Sequence, residues 1–207
     1  MSAGADMTVG TDSRSLRARL EHYVARLLPA EGRLLRRSVS AKEEVVATLG
    51  SIELRRTRAG FVARTTVKGE QHLASRTALR RLADYTGGYN REGLAVASAK
   101  PVVQRPGAPG TWLVQIGLPG LYIASAAPVP RSGKVRIIAQ PDEIFAVIRL
   151  PGRPPEDALT RGEGAIRAAI AGSSWHACGL PVLRLQALPG LLPWTGAYEV
   201  AIAVTTD

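Results

Sequence analysis

Residues 61–69, "FVARTTVKG", and residues 145–152, "FAVIRLPG", follow one pattern. Each is an apolar strand that stops at a glycine, and each is followed by a segment able to form a helix. In the first copy Phe61, Ala63, Thr65 and Val67 fall on one strand face, and Val62, Arg64 and Thr66 on the other. The neighbouring segments repeat as well. Before the first copy stands "SIELRRT", a strand candidate. After it, residues 70–85 carry Leu73, Ala78, Leu82 and Tyr85 toward a core, with Arg76, Arg80 and Arg81 toward solvent. Strands are expected at 94–103 and 112–118, split by the Pro/Gly-rich "QRPGAPGT". The second copy has a strand at 135–139 before it and a helix at 155–171 after it, with strands at 181–187 and 198–204. Proline at that helix's start costs nothing, because the amide it lacks has no partner there. The order strand, strand, helix, strand, strand is thus written twice.

Four strands and one helix cover one apolar face and leave another bare. Two copies bury what remains by meeting, which predicts an α+β fold: a distorted antiparallel β-barrel of two ββαββ repeats with two packed helices. A concave seam between the copies, lined by small and aliphatic residues, would take something flat or apolar.

Residues 1–44 read as an N-terminal extension, and 45–207 as the barrel domain. The first 13 residues are small, polar and Gly-rich, a composition expected to be disordered. Leu16, Leu20, Tyr23, Val24, Leu27 and Leu28 then recur at helical spacing opposite arginines, until Pro29 stops the helix. This basic amphipathic helix reads as a cap on the domain; its alternative is a surface for anionic membranes.

The 207 residues carry a net charge of +10, yet 23 of the 27 basic residues are Arg and aromatic content is 5%. Single-stranded nucleic acid needs stacking faces, so nucleic acid is not the expected partner, whereas a small anion gains from the same charge. No apolar run is long enough to span a membrane, and no secretory pattern opens the chain. One cysteine, Cys178, excludes an internal disulfide framework, which fits a cytoplasmic setting. A monomer or weak dimer is expected.

Several segments resemble the SOUL/heme-binding protein family. Ile52-Glu53-Leu54-Arg55 is similar to its Tyr-Glu-Val-Arg-like opening strand. Gly88-Tyr89-Asn90-Arg91-Glu92-Gly93 matches its Gly-x-Asn-x-x-Gly turn, and the next strand ends in Pro101-Val102. "EIFAVIRLPGRPPEDAL" and "LPWTGAYEVAIAV" resemble its later strand-Gly-helix unit and its closing segment. The likeness runs from about Val45 to Val204 and implies a distorted barrel holding heme or another tetrapyrrole in an apolar depression beside a helix. The implied role is carriage, buffering or delivery of that cofactor. Gyrase-inhibitory-protein-like and effector-binding domains share the architecture, and some of those are hydrolases. Three departures stand out. The position from which some family members ligate iron by histidine is Arg56; Ser98 and Lys100 replace apolar residues before Pro101; and Ala201 replaces a terminal tryptophan.

Under this resemblance the cofactor-binding candidates are Arg56, Arg64, Lys68, His72, Arg76, Arg80, Lys100 and Trp194, the cations pairing with propionates. Among His22, His72 and His176, His72 is the candidate iron ligand, in the first turn of the first helix. His176, close to Cys178 in "SSWHACGLP", is explained equally well by a helix-end turn. No nucleophile elbow, phosphate loop or His-Glu-x-x-His is present. The alternative, a small-molecule-transforming enzyme of hydrolase type, would rest on Glu199 as a general acid or base among Trp194, Tyr198 and aliphatic residues.

Overall fold

Both copies of the opening pattern are a nine-residue strand, a glycine turn and a helix. A computed structural model describes residues 43–119, 127–186 and 197–206, with the backbone of a two-residue strand before them. The strands are β1 (Val39–Ser40), β2 (Glu44–Leu49), β3 (Ile52–Thr57), β4 (Gly60–Lys68), β5 (Ala99–Pro106) and β6 (Thr111–Leu118). They continue as β7 (Val135–Gln140), β8 (Glu143–Pro151), β9 (Trp175–Ala177), β10 (Val182–Leu185) and β11 (Ala197–Thr206). Helices α1 (Gln71–Thr86) and α2 (Ala158–Ile170) follow β4 and β8. Gly69 and Gly152 end the two copies because the chain leaves each strand at positive φ, 125° and 80°, where a side chain would be strained.

All the strands form one sheet, ordered β2-β3-β8-β11-β10-β5-β6-β4-β7, with β1 parallel to β5 and β9 on β11. From β3 to β7 the order is a palindrome once repeats are matched, β3 with β7, β4 with β8, β5 with β10, and β6 with β11. The pseudo-twofold passes between β5 and β10, which pair as Gln104↔Leu183, Val103↔Arg184 and Val102↔Leu185. Each repeat lends its first strand to the other, β3 lying on β8 and β7 on β4.

Two short links set the shape. Arg58–Ala59 joins β3 to β4, and Pro141–Asp142 joins β7 to β8; each pair lies six places apart in the sheet. Six strand spacings come to roughly 28 Å, whereas the three peptide steps between strand ends reach at most about 11 Å. A flat sheet cannot satisfy both, so the sheet curls. The curl stops short of a closed barrel: among the described residues no ladder joins β2 or β3 to β7.

The helices pack outside the curl. α1 lays Ala74, Ala78, Leu79, Leu82 and Tyr85 on β4 and β6, and α2 lays Ala158, Gly162, Ile166 and Ile170 on β11 and β8. Leu73, expected in this core, is 53% exposed, and Ala74 takes the inward position one residue on. The strand expected from 94 begins only at Ala99. Buried Asn90 explains this: its amide accepts from Leu94 N (3.0 Å) and donates to Leu94 O (2.6 Å), so that backbone serves the turn. The N-terminal helix and His22 lie outside the described residues, and among those described no helix is long and apolar enough to cross a membrane.

Gly162 and Gly164 make opposite predictions on one helix. A Cβ at Gly162 would meet Val200 side-chain atoms at 2.5–2.7 Å, while one at Gly164 meets nothing within 4 Å. Gly162→Ala should therefore lose about 1–3 kcal/mol of stability in urea melts, and Gly164→Ala gain about 0.5–1 kcal/mol. Equal melts for the two variants would mean α2 is not seated on β11 as described.

Candidate functional site

Strand alternation divides the sheet into two chemistries. On the outer face Val102, Val114, Ile116, Leu183, Val200 and Ile202 meet the helices in the main core. On the inner face one row of directly paired residues crosses seven strands: Arg149, Glu199, Arg184, Val103, Gln115, Arg64 and Arg136. The expectation of a seam lined by small and aliphatic residues is corrected here. Its apolar part is the small cluster of Val147, Val182 and Ala201 with Val103 and Phe145, and charge surrounds it.

An ion cluster holds the β3–β11–β10 part of this face. Arg184 is 2% exposed and donates through one terminal nitrogen to both carboxylate oxygens of Glu43 at 2.6 Å. Its Nε lies 3.5 Å from Glu199 Oε2, too far or misaligned for a hydrogen bond, and is a buried donor without an acceptor among the described residues. Glu199, also 2% exposed, accepts from Arg55 Nη1 at 2.9 Å and from Gln186 Nε2 at 3.0 Å. Burial opposes the charge on Arg55, but the hydrogen bonds and charges of Glu199 and Glu53 outweigh it and raise its pKa above the usual arginine value. Arg184 also lies over the Phe145 ring, 6.0 Å from its centre. Among the described residues Glu199 is therefore ringed by two guanidinium groups and an amide, where Trp194, Tyr198 and aliphatic residues were expected, because β3, β10 and the residue after β10 turn Arg55, Arg184 and Gln186 to its face; Trp194 lies outside the described residues.

Among the described residues a cavity lies on each face of the sheet. The inner cleft, about 510 Å³, takes Val62 and Arg64 from β4, Val103 and Arg105 from β5, Gln115 from β6, and Phe145 and Val182 beyond the seam. The outer groove, about 990 Å³, runs between the start of α1, the β5–β6 turn and the β8–α2 link. Leu79, Trp112, Leu183 and Leu185 form its apolar walls, and His72, Arg76 and Arg153 stand around it. Gln104, 2% exposed, crosses its floor and donates to Ser75 Oγ at 2.8 Å, tying the seam to α1.

The sequence-derived candidates do not share one depression. His72 and Arg76 line the outer groove. Arg64 and Lys100 line the inner cleft on the opposite face. Arg56 sits at a third place, loosely paired with Glu44 (3.9 Å) and Asp142 (3.8 Å) beside Trp175. Lys68 and Arg80 are exposed and line none of these cavities. Trp194 lies outside the described residues. His176 is exposed on β9, a short strand where a turn was expected, and Cys178 is exposed at the cleft mouth. Among the described residues no group of three or more His, Cys, Asp or Glu is placed to hold a metal ion. Arg184 and Arg55 are the members that sequence reasoning missed. A signal existed for Arg184, a charge inside the apolar run "VLRL", which demands a buried partner.

The fold is thus a duplicated, curled sheet with two outer helices and a cavity on each face. The chain belongs to the SOUL heme-binding protein family, which it matches over residues 40–181. No curated protein sequence matches it. In fold it is similar to the EcmrR–DNA complex, at a TM-score of 0.56 and 10% identity over 95% of this chain and 67% of that one. The EcmrR C-terminal domain gives 0.55 and 9% identity over 75% of this chain and 98% of that chain. A hydrolase from Listeria innocua gives 0.55 and 6% identity over 77% and 94%. At these identities the likeness is one of fold.

Removing Glu199 leaves Arg55 and Arg184 facing each other in a water-poor site. Glu199→Ala should cost about 3–5 kcal/mol in chemical denaturation, because Arg55 and Arg184 lose the carboxylate between them and only Glu43 and Glu53 remain against two guanidinium charges. Arg56→Ala, at an exposed and loosely paired position, should cost no more than about 1 kcal/mol. Similar losses for the two would show that the inner cluster does not tie the half-sheets together.

Proposed function

We propose that the protein binds heme or a related tetrapyrrole in the outer groove and carries, buffers or delivers it. Family membership supplies the ligand class, and the groove supplies the observation that favours this place: apolar walls from both repeats meeting basic side chains at one rim. A flat macrocycle gains from such walls at roughly 25 cal/mol per Å² of apolar surface buried, several kcal/mol before the cost of association. Leu79, Trp112, Leu183 and Leu185 would hold the ring, and Arg76 and Arg153 would face its carboxylates, where a planar guanidinium pairs through two hydrogen bonds. His72, on the first turn of α1, is the side chain in reach of the groove that would offer an imidazole to iron. When bound, heme would supply an iron centre; the chain's own part is to enclose the ring, neutralise its carboxylates and limit access of water.

A hydrolytic role through Glu199 has less support. That carboxylate is committed to Arg55 and Gln186 and faces away from the outer groove.

Titration of the full chain with hemin should give a saturable Soret change at one equivalent. Arg76→Gln with Arg153→Gln should weaken it about tenfold or more, the loss of one charged hydrogen-bonded contact or more. His72→Ala should move the Soret band if iron is ligated there and leave it in place if enclosure alone holds the ring. A hemin response that never saturates would end the proposal.

A further inference from the structure

The inner cleft has an imbalance of charge that the heme proposal leaves unused. Its β8–β10–β11 side is compensated, with Arg184 and Arg55 holding Glu43, Glu53 and Glu199. Its β4–β5–β6 side is not. Arg64, Lys100 and Arg105 line the cleft, and none of them has a carboxylate within ion-pair distance among the described residues. Arg64 spends its Nε on Gln115 Oε1 at 2.9 Å, leaving both terminal nitrogens without a protein acceptor among the described residues. Burial, and then the nearby charge of Arg105, push the Arg64 pKa below the usual arginine value. Gln115 passes the chain on to Gln140 Oε1 at 3.3 Å, so Arg64 is held by an amide relay and not by a counter-ion. Glu143 lines the cleft too, but at the β3 end, in register with Thr57. Beside the cations the floor is apolar, formed by Val103, Phe145, Val182 and Ala203, with Leu180 69% exposed at the mouth.

We infer that the inner cleft is a second ligand site, for a small organic acid whose carboxylate meets Arg64 and Arg105 and whose apolar body lies on Val103, Val182 and Phe145. The carboxylate supplies the counter-charge that the fold withholds from Arg64. At the other end Glu43, which lines the cleft and holds Arg184 through both carboxylate oxygens, repels a second carboxylate. The orientation of the acid follows from this asymmetry: head toward β4, body toward β8 and β10.

The probe is octanoate, titrated calorimetrically into the full chain in low-chloride buffer, with octylammonium as the charge-reversed control. Octanoate should saturate at one equivalent, weaken as ionic strength rises, and bind far more tightly than octylammonium. Arg64→Gln with Arg105→Gln should weaken it about ten- to a hundredfold, the loss of one or more charge-assisted hydrogen bonds. Arg105→Gln alone changes an exposed residue that cannot threaten the fold, and should weaken it by a smaller factor in the same direction. Arg76→Gln with Arg153→Gln should leave octanoate binding intact, and hemin should not be displaced by octanoate. Equal binding of both amphiphiles, indifference to the Arg64 and Arg105 changes, or displacement of hemin would each overturn the inference.

Discussion

Two dipeptides decide the shape of this protein. Arg58–Ala59 and Pro141–Asp142 each tie strands that lie six places apart in one sheet, and a chain that short cannot cross a flat one. The sheet must wrap until β3 comes near β4 and β7 near β8. Everything else follows from the wrap. It gives the sheet an inside, where Arg64, Gln115 and Arg184 face a shared cleft, and an outside, where two helices find an apolar surface. The same constraint acts twice because the unit is duplicated, and its two instances are related by the pseudo-twofold between β5 and β10.

A wrapped sheet of this size has an interior too small for a second helix layer and too large to leave to solvent without cost. The protein fills part of it with charge. Arg184 and Glu199 are directly paired on neighbouring strands, and Arg55 reaches the same carboxylate from β3, three places along the sheet order from β10. Such a cluster stabilises less than the same volume of well-packed hydrocarbon would. Its effect is on register. Sliding β10 by one residue against β11 would turn Arg184 to the helix face and bury a guanidinium among leucines, so the cluster penalises the misaligned sheet.

Much of this fold was legible in the chain, and the reasons for the gaps are physical. The alternation through residues 61–67 gave β4 and its two faces, and the glycines at 69 and 152 marked the turns into both helices. β2 escaped because it is an edge strand with both faces half exposed, so "EVVATL" carries no alternation between core and solvent. β9 is three residues long, below the length at which periodicity speaks. The start of β5 was misplaced because Asn90 captures Leu94 through a side chain, a contact that propensity does not encode. The grouping of the candidate residues was less legible, for reasons of geometry. Basic residues on a strand and on the helix after it are neighbours in sequence, yet Arg64 belongs to the even positions of β4 and points through the sheet, away from α1. The alternation already contained that answer: Val62, Arg64 and Thr66 share the face opposite Ala63 and Val67. Which arginine meets Glu199 was not available in the same way, since Arg55 lies 144 residues away and only the β3–β8–β11 register brings it there.

The two faces also differ in what they can recognise, and that difference comes from the repeat itself. At the twofold, β5 and β10 present Gln104 and Leu183 outward and Val103 and Arg184 inward. Symmetry places equivalent backbones there but leaves the side chains free to diverge. Arg184 in one copy acquired carboxylates from Glu43 and Glu199, while Val103, the inward residue paired with it across the axis, carries no charge. The cations of that half, Arg64, Arg105 and Lys100, come from flanking strands and stay without acid partners among the described residues. A duplicated sheet thus yields one balanced half that fixes the fold and one unbalanced half with cationic capacity to spare. The outer groove is different in kind, because both repeats give it leucine from β10 and α1 and tryptophan from β6, and its charges stand at the rim. Apolar enclosure outside and charge inside are the two results of wrapping one alternating sheet, and a ligand that satisfies one face has no reason to satisfy the other.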